Sequence, residues 1–379
     1  MKSSDAVLAR VAQIIADVFH PPEGTVVTRE TTANDIDGWD SLSHTTLIMQ
    51  VEEAFGIELP IEGLYALRDV GELADLVVRT GARSHTVFVY GNCQAEGFAQ
   101  VLGAIAPIAK KYRVVYVPSY DRPGGSEAVE QDDVEACDVL FQQYDPRPFP
   151  YAQWLREECR RVTFPSLDFN LLWPYSRPNP YNDPEPPDFP HGVFPYGHGV
   201  VVSWIERGLG AEEVLAAVLA EPVGAHRPNL DRLLKLEIER LRQRDASCDV
   251  GIAAFVSENF RSKRLFWATN HPTNELFAEL CTRLVAAAFP EVPTLAQADL
   301  LDVLTSFGTI DLLGAISIPI DPWVARHFEL SWYDAAEAYR LFNDERVTYV
   351  EYYRRMIATS LAAKVRREQP LESVEVRVE

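Results

Sequence analysis

The spacing of apolar residues changes once along this chain, near residue 85, and that change constrains the fold more than any other feature. Ahead of it, apolar residues recur at helical spacing: Val7, Leu8, Val11, Ile14, Ile15 and Val18, then Leu42, Leu47, Ile48, Val51 and Phe55. Behind it, Thr86-Val87-Phe88-Val89-Tyr90 reads as a buried strand. Further apolar runs at 114–117, 139–143 and 161–164 alternate with helical segments at 95–106, 127–135 and 151–160. Strands alternating with helices predict a parallel sheet covered on both faces. A chain of 379 residues has room for two or three domains. The expected fold class is multidomain: an all-α four-helix bundle, an α/β domain with a parallel sheet, and a helical C-terminal part.

The first segment predicts helices over 5–19 and 42–55, with shorter ones near 61–67 and 70–78. Pro21-Pro22 closes the first helix and Gly56 is placed to cap the second. The long loop between them is acidic and runs through Gly38-Trp39-Asp40 into Ser41-Leu42. Ser41 therefore stands at a helix N-terminus, which favours a phosphodiester. A bare N-cap role is the alternative reading. Residues 1–82 hold 14 acidic and 5 basic side chains, a net charge of −9 out of −21 for the whole chain. That balance suits docking to basic patches on partner enzymes and disfavours binding to nucleic acid or anionic lipid.

Five cysteines (Cys93, Cys137, Cys159, Cys248 and Cys281) without a CxxC argue against a disulfide framework or zinc ribbon. The N-terminus lacks a signal-peptide apolar region, and no window approaches a transmembrane span. The expectation is a soluble, cytoplasmic protein.

Residues 1–80 resemble an acyl carrier protein. Asp40-Ser41-Leu42 at the start of the second helix and Phe55-Gly56-Ile57-Glu58-Leu59 at its end carry the likeness. The resemblance implies 4′-phosphopantetheine on Ser41, and as partners a phosphopantetheinyl transferase and an acyl-loading enzyme. Residues 81–85 read as a short linker, and 86–379 as the second domain.

In that second domain Cys93 follows the first strand and opens a helix, at the sheet edge where open α/β folds bind ligands. A helix start lowers a thiol pKa, which makes Cys93 a candidate nucleophile; a buried structural cysteine is the alternative reading. Asn92, Gln94 and Gln143 fall at the same edge and could donate to an oxyanion, bind a pantetheine amide or stabilise the turn. A nucleophilic cysteine needs a base. Of eight histidines, His271 is the best candidate, in a loop after the strand at 264–268; His191 and His198 could touch substrate. They belong to, or border, a proline- and aromatic-rich segment over 165–200, expected to be an ordered flap walling a pocket. No metal site is expected. The helices at 211–221, 227–244 and 274–288 are followed by a helical C-terminal extension over 320–368, with helices at 333–342 and 347–367.

Residues 86–290 resemble the WcbI family of polysaccharide-biosynthesis proteins. The motifs are Tyr90-Gly91-Asn92-Cys93-Gln94-Ala95, Gln142-Gln143 and Asn270-His271-Pro272. The resemblance implies an SGNH-hydrolase-related (flavodoxin-like) fold with cysteine replacing the serine, acyltransferase activity, and binding of coenzyme A or acyl-CoA. One departure stands out: the position three residues before the histidine, where an acid is expected, is Ala268, so the acid comes from elsewhere, for example Glu96, Asp145 or Glu258, or is absent. The expectation is a carrier–acyltransferase fusion passing an acyl thioester from Ser41-linked phosphopantetheine to a hydroxyl or amine on a small-molecule or sugar acceptor. Cys93 and His271 would be the catalytic pair, Cys93 either taking the acyl group covalently or helping to bind the thiol end and His271 acting as base. Hydrolysis to free acid and non-catalytic cargo shielding are the alternatives.

Overall fold

A computed structural model describes residues 4–368, apart from 23, 56, 58, 60–63, 65–66, 84, 121–128, 146, 186–188, 190, 225–226 and 294. The chain divides into two compact units, Met1–Val162 with Ala288–Pro293, and Thr163–Ala287 with Thr294–Glu379.

The first unit begins with helices α1 (Ser4–Phe19), α2 (Ser41–Phe55) and α3 (Val70–Arg83). Their apolar stripes meet in one core of Val7, Val11, Ile14 and Ile15 from α1, Leu47, Ile48 and Val51 from α2, and Val70, Leu73, Ala74 and Val77 from α3. The i, i+4, i+7 spacing brings these side chains onto one face of each helix. The α1–α2 connection is anchored to α3: Gly71 donates its N–H to the Arg29 carbonyl, and the Arg29 guanidinium pairs with Asp75 at 2.6 Å. The Gly56 cap and most of the helix expected at 61–67 lie outside the described residues. Helix α3 runs beyond the expected end at 78 and through residues 81–83 of the expected linker, so only Ser84, also outside the description, precedes β1.

Then come β1 (His85–Gly91), α4 (Cys93–Ala104), α5 (Ala106–Lys111), β2 (Tyr112–Pro118), α6 (Gln131–Glu135), β3 (Cys137–Gln143) and β4 (Arg160–Phe164). The strand order is β2-β1-β3-β4, and β1 pairs in parallel with both β2 and β3. Every residue of β1 after His85 is buried, as a central parallel strand requires. Val89 and Phe141 are partners on one face, where Phe98 of α4 packs edge-on against Phe141; Phe88 and Tyr90 on the other face meet Phe149. The helix expected at 151–160 is absent, and only a single turn forms at Ala152–Trp154. Pro148 and Pro150 withhold backbone donors, and Phe149, Tyr151 and Trp154 stack on one another and join the sheet core instead.

The second unit contains β5 (Ser176–Pro178), β6 (Tyr196–His198), α7 (Gly199–Glu206), α8 (Ala211–Leu219), α9 (Leu230–Asp245), α10 (Ala253–Asn259), β7 (Phe266–Ala268), β8 (His271–Pro272), α11 (Asn274–Ala288), α12 (Gln297–Ser306), α13 (Pro322–Phe328), β9 (Tyr339–Arg340), β10 (Arg346–Val347) and α14 (Tyr349–Glu368). Helix α11 ends at the boundary with the first unit. Three two-stranded antiparallel ladders (β5–β6, β7–β8 and β9–β10) replace a second sheet. The core gathers Val201 and Ile205 of α7, Val214 and Val218 of α8, and Tyr352, Met356 and Ile357 of α14.

The helix expected at 333–342 does not form: turns lead into Tyr339–Arg340, the first arm of the β9–β10 ladder. Tyr339 and Leu341 are buried with Arg340 between them partly exposed, a period of two, and Asp344 takes a left-handed φ of 64° at the reversal. The segment at 165–200 puts its first third into the interior, while most of its described residues after Trp173 are partly or fully exposed. Phe169, Leu171, Leu172 and Trp173 are buried, and the Trp173 indole donates to the Pro319 carbonyl at 3.0 Å. No helix among the described residues is long and apolar enough to cross a membrane.

Candidate functional site

The chain reverses its direction of winding at β1: β2 lies on one side of it and β3 on the other. The crevice at the carboxyl ends of two such strands is where open α/β sheets bind ligands. Asn92, Cys93 and Gln94 leave the end of β1, and Gln143 ends β3. The side-chain amides close on one another. Gln143 Oε1 accepts the Asn92 backbone N–H at 2.9 Å, and Gln143 Nε2 donates to Gln94 Oε1 at 3.0 Å. Asn92 Oδ1 accepts the Gln94 N–H at 2.9 Å, capping α4. Gln94 and Gln143 are both buried. These hydrogen bonds build the turn that presents Cys93.

Gly91 is demanded by the same packing. A Cβ there would fall 2.6 Å from Gln143 Oε1 and 2.8 Å from the Ala95 Cβ. Tyr116 on β2, unforeseen in the sequence, donates its hydroxyl to the Gly91 and Asn92 carbonyls at 3.1 and 3.2 Å. Its contact is set by strand pairing, and nothing local signals it.

Cys93 is partly buried at the first position of α4. Burial pushes its thiol above the ordinary range and the Glu96 carboxylate adds to this, while the backbone groups of Cys93 and Gln94 pull the other way. The lowered pKa expected from the helix start is thus outweighed by desolvation. Of the acids offered as substitutes, Glu96 stands near this thiol, Asp145 is paired with Arg147 at 3.0 Å, and Glu258 is exposed on α10.

His271 belongs to the second unit. It lies in β8, a strand of the tight β7–β8 ladder, and not in a loop after a strand of the parallel sheet. Ala268 is its ladder partner, so no acid stands at that position. Burial lowers the His271 pKa to about 4, opposed by a hydrogen bond with the Leu313 backbone. Its Nδ1 is buried and has no hydrogen-bond partner among the described residues. The imidazole is therefore neutral near pH 7, with a lone pair available for a proton. Tyr196 packs edge-on against the ring at 5.8 Å, and its hydroxyl donates to Asn270 Oδ1 at 2.6 Å. Asp311, another residue the sequence did not single out, anchors the ladder by accepting the Trp267 indole N–H at 2.7 Å and the Asn274 backbone N–H at 3.0 Å.

Among the remaining histidines, His44 accepts the Trp39 indole N–H at 3.1 Å, His85 pairs with Asp138 at 3.0 Å, and His327 pairs with Asp231 at 3.0 Å. His191 is exposed, whereas His198 is buried; His226 lies outside the described residues. No group of three or more metal-ligating side chains occurs among the described residues.

In the carrier region, α2 starts at Ser41 and is capped by the preceding residue. Asp40 Oδ1 accepts the Ser43 N–H at 2.9 Å, and the Asp40 N–H donates to Ser43 Oγ at 2.8 Å. The cap role that a serine at this junction could have filled thus falls to Asp40. A 15-residue helix whose N-terminus is so ordered favours a phosphodiester at its first residue. The residues present fit a phosphopantetheine attachment site.

Residues 9–77 match the family model described as "Phosphopantetheine attachment site", and residues 86–289 match "Polysaccharide biosynthesis enzyme WcbI". The acyl carrier protein of Tropheryma whipplei (strain Twist) is 34% identical over 80 residues, 21% of this chain and 96% of that protein. That of Rubrobacter xylanophilus is 35% identical over 74 residues, 20% of this chain and 90% of that protein. A solved structure described as WcbI, a novel polysaccharide biosynthesis enzyme, native and without a disulfide bond between coenzyme A and a cysteine of that protein, superposes with a TM-score of 0.55. The alignment covers 74% of this chain and 92% of that one at 16% identity, a likeness of fold.

Proposed function

Because the chain belongs to the WcbI family of polysaccharide biosynthesis enzymes, with an acyl carrier domain bearing 4′-phosphopantetheine ahead of it, we propose that it is a carrier–acyltransferase fusion. In this reading Ser41 holds the phosphopantetheine, whose thiol carries the acyl group as a thioester. Asp40 orders the helix start that receives the phosphodiester. A phosphopantetheinyl transferase and an acyl-loading enzyme serve this domain, and a sugar or small-molecule hydroxyl or amine accepts the acyl group.

The observation that carries the reading is the ring of hydrogen bonds through Asn92, Gln94 and Gln143 at the turn that carries Cys93, at the carboxyl ends of the paired strands β1 and β3. Such a ring orients one thiol at a ligand-binding edge. The fold neighbour's description links coenzyme A to one of its cysteines, and coenzyme A ends in the same pantetheine arm that a carrier bears. The raised Cys93 thiol favours a role in which Cys93 stays protonated and binds the sulfur end of the arm, over one in which it attacks as a free thiolate. In the same reading His271 takes the proton of the acceptor hydroxyl or amine at Nδ1 as that oxygen or nitrogen bonds to the acyl carbon; the carbon–sulfur bond breaks, and the proton returns to the departing pantetheine sulfur as a free thiol.

The test uses the full chain loaded with a short acyl group and followed by intact mass. Loss of the acyl load with appearance of an acylated sugar supports transfer, and His271→Ala slows it by about 100-fold. Release of free acid alone would establish a thioesterase, and a load that persists with every acceptor would establish a shielding role.

A further inference from the structure

The second unit holds a cavity of about 520 Å3, placed where β6 passes into α7 and bounded by α8 and the start of α13. Tyr175, His198, Ser203, Trp204, Asp321 and Trp323 are among its lining residues. Its size lies within the range of small-molecule sites, roughly 300–1,000 Å3.

His198 is the unusual group in this wall. It is only 9% exposed, and neither ring nitrogen has a hydrogen-bond partner among the described residues. Nε2 lies 3.7 Å from Oδ2 of Asp321, beyond hydrogen-bond reach. Asp321 is equally buried and accepts the Tyr349 hydroxyl through Oδ1 at 2.7 Å, so Oδ2 is the oxygen nearer the imidazole. Tyr175 and Tyr353 hold the ring, with centroids 5.0 and 5.4 Å away.

A buried imidazole whose nitrogens have no hydrogen-bond partner among the described residues, beside a carboxylate that uses only Oδ1 for the Tyr349 hydroxyl, favours a ligand that bonds to both. A hydrocarbon chain would leave the imidazole nitrogens unsatisfied. An anion would meet the Asp321 carboxylate, and the other carboxylate of the lining, Glu221, is already paired with Arg227 and Arg326. A hydroxyl both donates and accepts, so one oxygen can serve Asp321 Oδ2 and His198 Nε2 together. Tyr175 and Trp204 add aromatic surface for an apolar ring face.

We propose that this cavity binds a neutral polyhydroxylated ring, a pyranose, with one hydroxyl set between His198 and Asp321. The site extends beyond the acyl-transfer reading and does not depend on it, because binding is measured with no acyl donor present. Full-length protein is titrated with methyl glycosides of glucose, galactose, mannose and N-acetylglucosamine, by calorimetry and tryptophan fluorescence. At least one binds saturably, and His198→Ala and Asp321→Asn each weaken it by about tenfold. Val223→Trp obstructs the cavity from a position that is 74% exposed, where folding is little affected, and abolishes binding. The proposal is overturned if no glycoside binds saturably, or if binding survives Val223→Trp in a variant that melts like the parent. Tighter binding of decanoate or inorganic phosphate than of every glycoside overturns it as well.

Discussion

Gln143, the last residue of β3, accepts the backbone N–H of Asn92, one residue ahead of Cys93, at 2.9 Å. The two positions are 51 residues apart in sequence and meet because β1, which Asn92 follows, is paired in parallel with β3. This bond sets the direction in which the chain enters α4, and with it the direction of Cys93.

Gly91→Ala should therefore damage the turn more than its size suggests. The new methyl group would overlap both the Gln143 side chain and Ala95. Overpacking of this kind costs about 1–3 kcal/mol. Urea denaturation reads the loss, and the alkylation rate of Cys93 reads the altered presentation. Gln143→Ala, which removes the partner of the Asn92 N–H and of Gln94 Oε1, should also change the alkylation rate, with a stability loss of about 1–3 kcal/mol.

The Cys93 thiol should alkylate slowly at neutral pH, and its rate should rise with pH to a midpoint above that of an ordinary cysteine. Glu96→Gln removes the nearby negative charge and should move the midpoint down. The other cysteines must be replaced or resolved by peptide mass mapping. An unmoved midpoint in Glu96→Gln would leave burial alone as the cause.

His271 gives a pH dependence whose sign is set by burial. Its pKa is about 4 in the folded chain against 6.5 ordinarily, so between these values the unfolded chain binds the extra proton. The stability it contributes is fully present above pH 6.5 and is lost as pH falls towards 4, by about 3 kcal/mol in all. Denaturation at several pH values, compared between parent and His271→Gln, measures the difference; the variant should show a shallower decline.

Ser41→Ala should abolish the mass gain that co-expression with a phosphopantetheinyl transferase produces. Asp40→Ala removes the carboxylate that accepts the Ser43 N–H and should destabilise the carrier helices by about 1 kcal/mol. A phosphopantetheine mass on Ser41→Ala would move the attachment point elsewhere.

The carrier helices were legible because each is a local pattern: Val7, Val11, Ile14 and Ile15 define a buried face without reference to the rest of the chain. The strands of the parallel sheet were legible for the same reason, since a strand buried on both faces is apolar at nearly every position. Segments whose conformation depends on distant partners were misread. Residues 151–160 have helical composition, but Pro148, Pro150 and the Phe149–Tyr151–Trp154 stack hold them against the sheet. Residues 333–342 look helical by charge spacing, yet Tyr339 and Leu341 enter a core shared with α14 and draw the chain into a ladder.

The sequence by itself determined the order of the parts: a carrier with a serine at a helix start, then an α/β domain with a cysteine after its first strand. Those are matters of local periodicity and of the residue at one junction, which neighbours in sequence decide. Only the tertiary structure decided what surrounds the reactive groups. Strand pairing set Gln143 against Asn92, desolvation raised the Cys93 thiol where the helix start alone would lower it, and packing of the second unit left His198 facing Asp321 across 3.7 Å. Burial and proximity depend on residues tens to hundreds of positions away, so no local pattern encodes them.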